Sequence, residues 1–209
     1  TSDSLDAAGW AASLKDMADA GSRPAPVERR KAVESRVSYA AAASDARPDD
    51  AQAQLDLAEA LLAMAVDPGS VLAPWNGRNQ AARLNALRFQ DAQAATNRAV
   101  EAGLSNWRTD TALSLCHWYH GQPAEAHAWA EKAVQAMPPG QQSWNAMAVL
   151  SLFAHGRKQA IQEANRTGDN WPPEWIADIH AAYGVLASHP EASAQHVIAH
   201  YDFLLELGA

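Results

Sequence analysis

Gly121-Gln-Pro-Ala-Glu-Ala-His-Ala-Trp-Ala-Glu-Lys-Ala-Val-Gln-Ala-Met-Pro138 is the stretch that decides how this chain folds. Between its glycine and its last proline it holds strong helix formers, and the proline cannot continue a helix because it lacks the backbone donor. Ala126 and Ala133 are small enough to let a second helix come close. The stretch reads as one helix, opened by a turn at Gly121 and stopped at Pro138.

Its features recur along the chain. Ala92, Ala126, Ala160 and Ala194 are each 34 residues apart, and four positions later stand Thr96, Ala130, Ala164 and Ile198. Ala99 shares this register with Ala133, Val100 with Val134, and Pro138 with Pro172, while a glycine comes one place late at Gly156. A fixed period in this range marks stacked repeats, each too small to bury its own apolar face.

Gly121 to Pro138 resembles the second helix of a tetratricopeptide repeat. Gly121, Ala126, Ala133 and Pro138 match that family's turn glycine, two close-packing alanines and terminal proline. Trp144, in Ser143-Trp-Asn-Ala-Met-Ala-Val-Leu-Ser-Leu-Phe-Ala-His-Gly156, falls where the family has its first-helix tryptophan. The resemblance runs from about Ala51 to the C-terminus. It departs at the first-helix glycine, which is Ala58, Ser114, Ala148 or Ala182 here, and at the aromatic three places on, which is Leu61, His117, Ser151 or Val185.

Composition agrees and excludes other classes. Hydrophobic residues make up 48% of the 209, enough for a continuous core, and alanine dominates them. β-Branched residues are sparse, which disfavours strands. A formal charge of −8 leaves no footprint for a phosphate backbone, and the one basic run, Arg29 to Lys31, follows Glu28 as a solvated helix face. Nucleic acid is therefore not the expected partner. No apolar stretch is long enough to span a bilayer, so a soluble chain is expected. The single cysteine, Cys116, rules out an internal disulfide framework. The short polar start at Thr1 fits either a removed leader or a chain cut short at its start, and of the two the reading leans to an exported bacterial protein.

The expected architecture is all-α: a right-handed stack of antiparallel helix hairpins, tetratricopeptide-like, with about nine to ten helices. Residues 1–48 form an N-terminal hairpin cap, with helices over 3–20 and 26–44. Residues 49–209 form the repeats, near 51–103, 106–138, 140–172 and 173–207, as one structural unit. Residues 66–79 are an insertion within the first repeat, after which Gln80 to Ala102 is one long helix or two joined near Phe89. Glu191 to Leu207 is the last second helix.

The resemblance implies that first helices line a concave surface, at positions two, five, nine, twelve and thirteen of each repeat. Here these are Leu55, Glu59 and Leu62; Arg108, Thr111, Leu115, Trp118 and Tyr119; Asn145, Val149, Leu152 and Phe153; and Ile179, Tyr183 and Leu186. The set is apolar for a surface facing water. It is either a binding groove or ordinary core, covered by the C-terminal helix or by the helix over 79–103. As a groove it nominates Trp118, Tyr119, Leu115, Arg108, Asn145, Phe153 and Tyr183, with Trp75 in the insertion as a further anchor. A carboxylate clamp is not expected, since Asn145 alone supplies a donor at the relevant positions.

Three functions compete. The first is a non-catalytic scaffold holding a protein or peptide partner. The second is a carrier of an apolar small molecule in a closed groove pocket. The third is an accessory subunit of an enzyme, which would need convergent polar groups that the sequence does not display. No cofactor is called for. Cys116 with His120, and His196 with His200, share helix faces at i,i+4, but two ligands make half a tetrahedral site, so no metal is expected.

Overall fold

Helix ends fall where local chemistry puts them. The computed structural model describes residues 26–65, 80–141, 143–188 and 202. In chain order the helices are α1 (Pro26–Ala46), α2 (Ala51–Ala65), α3 (Gln80–Glu101), α4 (Trp107–Tyr119), α5 (Pro123–Ala136), α6 (Trp144–Thr167) and α7 (Glu174–Ser188). Among the described residues there is no strand, and their architecture is all-α as expected. None of the helices searched among these residues is long and apolar enough to cross a membrane. The expectations for helices over 3–20 and 191–207 and for the insertion 66–79 lie outside the described residues.

Side chains take up the backbone donors that a helix start leaves without partners. Asp50 Oδ1 accepts from the amides of Gln52 and Ala53 ahead of α2. Asn106 accepts from the amides of Arg108 and Thr109, and Thr109 Oγ1 accepts from the Asn106 amide, a reciprocal capping box that fixes the start of α4. Pro123 occupies the first turn of α5 and Ser143 caps α6. Gly121 turns the chain between α4 and α5 at φ +74°, a conformation that side chains with a Cβ resist.

Each described helix packs against its neighbour in the chain, and the first helices also meet one another, α2 with α4 and α4 with α6. Of the recurring small residues, those on α3 and α5 sit at these contacts, whereas Ala160 and Ala164 on α6 stay half-buried. Ala92, Thr96 and Ala99 on α3 and Ala126, Ala130 and Ala133 on α5 are all fully buried. Two contacts show how close the helices come. Ser114 Oγ of α4 donates to the backbone carbonyl of Ala126 on α5 at 2.7 Å, and Cys116 Sγ lies 4.0 Å from the carbonyl oxygen of Phe89 on α3. A bulky residue at any of these places would hold the backbones apart.

The region expected to form the third hairpin differs. Trp144 to Thr167 is one uninterrupted helix, and Gly156, where a turn would match Gly121, lies inside it. The residues after Gly156 explain the continuity. Arg157-Lys-Gln-Ala160 has no capping residue and no proline, unlike Pro123 after Gly121, and a lone glycine costs a helix only about 1 kcal/mol. Gly156 serves instead as a contact point: a Cβ there would stand 2.6 Å from Cγ of His127 on α5. The helix over Gln80 onward is likewise single.

Gly156 and Gly184 therefore respond oppositely to the same substitution. Gly156→Ala loses roughly 1–2 kcal/mol in urea unfolding, because displacing the His127 ring outweighs the gain in helix propensity. Gly184→Ala, with nothing within 4 Å of the added carbon, gains about 0.5–1 kcal/mol.

Candidate functional site

Arg108 and Asn145 of the first-helix set converge on the Glu59 carboxylate, whereas the Thr111 hydroxyl donates back to the Trp107 carbonyl of its own helix. Leu55, Glu59 and Leu62 follow at i, i+4 and i+7 along α2, so Glu59 shares the inward face with two leucines and its side chain is only 3% exposed. Arg108, held by the cap at the start of α4, grips it with both arms: Nε donates to Oε1 at 2.7 Å and Nη2 to Oε2 at 2.6 Å. From α6, Asn145 Nδ2 donates to Oε1 at 2.6 Å. From α1, Arg36 Nη2 approaches Oε2 at 3.7 Å. Four helices thus meet at one side chain.

The rim of this cluster is also charged. Asp56, three residues before Glu59 on α2, accepts from Arg108 Nη2 at 3.3 Å. Arg108 is raised above its ordinary value, first by the hydrogen bond to Glu59 and also by the charges of Glu59 and Asp56, against a lowering effect of burial. The guanidinium stays charged and the fork geometry is two-pronged, the stronger form of such a pair. Buried ion pairs add little net stability over apolar replacements, but removing one partner leaves an uncompensated charge. The cluster's main effect is therefore to specify how α1, α2, α4 and α6 meet.

The apolar members form core. Leu55, Leu62, Leu115, Val149, Leu152, Ile179 and Leu186 are essentially inaccessible, and Phe153 and Tyr183 are buried with them in one contiguous cluster. Of the two readings of the set, ordinary core describes these residues. Fully burying each leucine or isoleucine contributes about 1.5–3 kcal/mol.

Trp118 and Tyr119 stay half-buried at the edge of this core, in the last turn of α4. Tyr119 stacks on Phe89 of α3 with ring centres 3.9 Å apart and planes 12° from parallel. Trp118 lies 5.6 Å from the ring of His127 on α5 and meets His155 on α6 edge-on at 5.2 Å. Trp75 lies outside the described residues.

Two groupings escaped the sequence. One is the Trp118, His127 and His155 cluster, whose members come from three helices and share no spacing rule. Burial lowers both histidines below the ordinary value, and His155 is lowered further by the charges of His127 and Lys158. The other is Arg157, whose guanidinium lies 5.3 Å from the Phe153 ring and 4.6 Å from the Trp175 ring while Nη2 holds Glu131 of α5 at 2.6 Å. Asp178 of α7 stands 3.9 Å from the same Nη2. Trp175 and Trp171 flank the start of α7 and pack, partly buried, on the core.

Cys116 and His120 do not form a site. The thiol is fully buried and pushed up to about 12 by burial, whereas His120 is exposed at the helix end. Burial of that kind keeps a cysteine unreactive. Among the described residues no group of three or more His, Cys, Asp or Glu side chains could hold a metal ion. His196 and His200 lie outside them.

No protein-family model, curated protein or solved structure matches this chain.

The contrast between the two arginines that face Glu59 is measurable. Arg108→Ala strands the Glu59 carboxylate, 3% exposed and left with Asn145 and the more distant Arg36, and costs about 3–5 kcal/mol of unfolding free energy in urea titrations. Arg36→Ala costs under about 1 kcal/mol, because Arg36 is 55% exposed and stands beyond hydrogen-bonding distance. Equal losses at the two positions would contradict this division of roles.

Proposed function

We propose that this chain is a non-catalytic scaffold of the tetratricopeptide-like kind, a right-handed stack of helix hairpins that holds a protein or peptide partner. The observation that carries the reading is the half-buried pair Trp118 and Tyr119 in the last turn of α4, Tyr119 braced by Phe89 and Trp118 by His127 and His155. Aromatic side chains that are rigidly backed and still partly open to water are the usual anchors of protein interfaces. The contact is a rim at the end of the first helices rather than an open trough, since the residues that would line the trough are packed together.

The charged groups support the same view. Glu59, the one carboxylate of the first-helix set, is engaged by Arg108 and Asn145, an arrangement suited to holding helices together. A carrier would need space among Leu115, Val149, Leu152 and Ile179, which are closed on one another. A cleft of about 560 Å³ exists on α1, lined by Glu34, Ser35, Ser38, Tyr39 and Ala42, none of which belongs to that set.

Affinity isolation from the source organism, followed by native mass spectrometry, tests the reading. The wild-type chain retains a protein or peptide, and Trp118→Ala or Tyr119→Ala weakens retention by more than about tenfold, the scale of an interface anchor, with unchanged helical circular dichroism. A chain that is bare, that carries only a small molecule, or whose partner ignores both substitutions would overturn it.

A further inference from the structure

His127 of α5 and His155 of α6 face each other across the joint between these helices, with ring centres 6.0 Å apart. Trp118 of α4 closes the third side. The His127 ring is pressed on the α6 backbone at Gly156, closely enough that an added Cβ would collide with it. Its Nε2 is buried and has no hydrogen-bond partner. A neutral imidazole tolerates this, because one of its nitrogens is only an acceptor. An imidazolium has donors on both nitrogens and a charge to solvate, and the cost of leaving these unmet is much larger.

We propose that the His127 and His155 pair makes the joint between α5 and α6 acid-labile, so that protonation of either ring parts the two helices and uncovers Trp118. The inference stands independently of the binding reading.

The charges around the pair favour this response. From α6, Lys158, three residues after His155, opposes a positive charge on that ring, and Arg157 lies beside it in sequence. From α5, Glu131 lies one turn beyond His127 and is the carboxylate placed to compensate, but Arg157 engages it at 2.6 Å. Asp178 of α7 also stands near Arg157, at 3.9 Å. From α4 the facing group is the Trp118 indole. In the same turn His117 is hydrogen-bonded to Gln122 at 2.9 Å and His120 is exposed, while Asp110 lies two turns back, bound by Lys132 of α5 at 2.9 Å.

The direction is set by proton uptake. Both rings are held below the ordinary histidine value by burial, so the unfolded chain binds these protons first, near pH 6.5. Stability is complete above that value, declines as the pH drops toward the folded-state values, and levels off below them.

Hydrogen exchange of the full chain at pH 7.5 and pH 5.5, corrected for intrinsic rates, tests the proposal directly. At pH 5.5, exchange within residues 123–136 and 144–158 rises about tenfold or more, while residues 51–65 keep their protection. A uniform change, or none in those two segments, would overturn it. In parallel, the wild type loses roughly 3–8 °C of melting temperature between the two pH values through this pair, a loss absent in the His127→Gln, His155→Gln double variant. A double variant that keeps the full difference also overturns the proposal. If it does not fold, the wild-type exchange pattern decides alone.

Discussion

A carboxylate taken out of water must recover its hydrogen bonds from the protein, and in this chain Glu59 recovers them from two other helices at once. Arg108 supplies a fork from α4 and Asn145 a single donor from α6, each within hydrogen-bonding distance of the same two oxygens. Apolar contacts among Leu62, Leu115 and Val149 could be satisfied at several registers, because dispersion is not directional. The Glu59 cluster could not. Sliding α4 or α6 by one residue along α2 would leave a buried charge without its partner, and that penalty selects one arrangement of the first helices.

The second helices are set by the opposite means. On α3 and α5 the contacts are made by Ala92, Ala99, Ala126 and Ala133, with Thr96 and Ala130 between them. There the absence of side-chain bulk is what specifies the distance. The hydrogen bond from Ser114 to the Ala126 carbonyl can form only because the two backbones come so near. A polar clamp on one side of α4 and small residues on the other thus hold this helix between α2, α6 and α5. Its last turn is left to present Trp118 and Tyr119 at the edge of the core.

Much of this was legible in the residues. The alanines at 34-residue spacing marked the contacts of α3 and α5, and the proline and glycine punctuation placed the ends of α1, α4 and α5. The set read from the first helices included every member of the Glu59 cluster except Arg36 and Asp56. Other features were not legible, for identifiable reasons. Gly156 looks like Gly121 in sequence, but the residues after each glycine differ, Gln122-Pro123 in one case and Arg157-Lys158 in the other. Whether an apolar inward face is groove or core depends on what packs over it, which residue spacing does not encode. The meeting of Trp118, His127 and His155 depends on how three helices are aligned, and no local pattern reports it.

By tying three helices to one carboxylate, the Glu59 cluster makes α2, α4 and α6 open as one unit. Native-state hydrogen exchange measured at pH 7.5, above the range in which His127 and His155 take up protons, across increasing, sub-denaturing urea tests it most directly. The slowest amides of residues 51–65, 107–119 and 144–155 then converge on a single opening free energy and a single urea dependence. Opening of 144–155 at distinctly lower urea than the other two, with Glu59 intact, would contradict it.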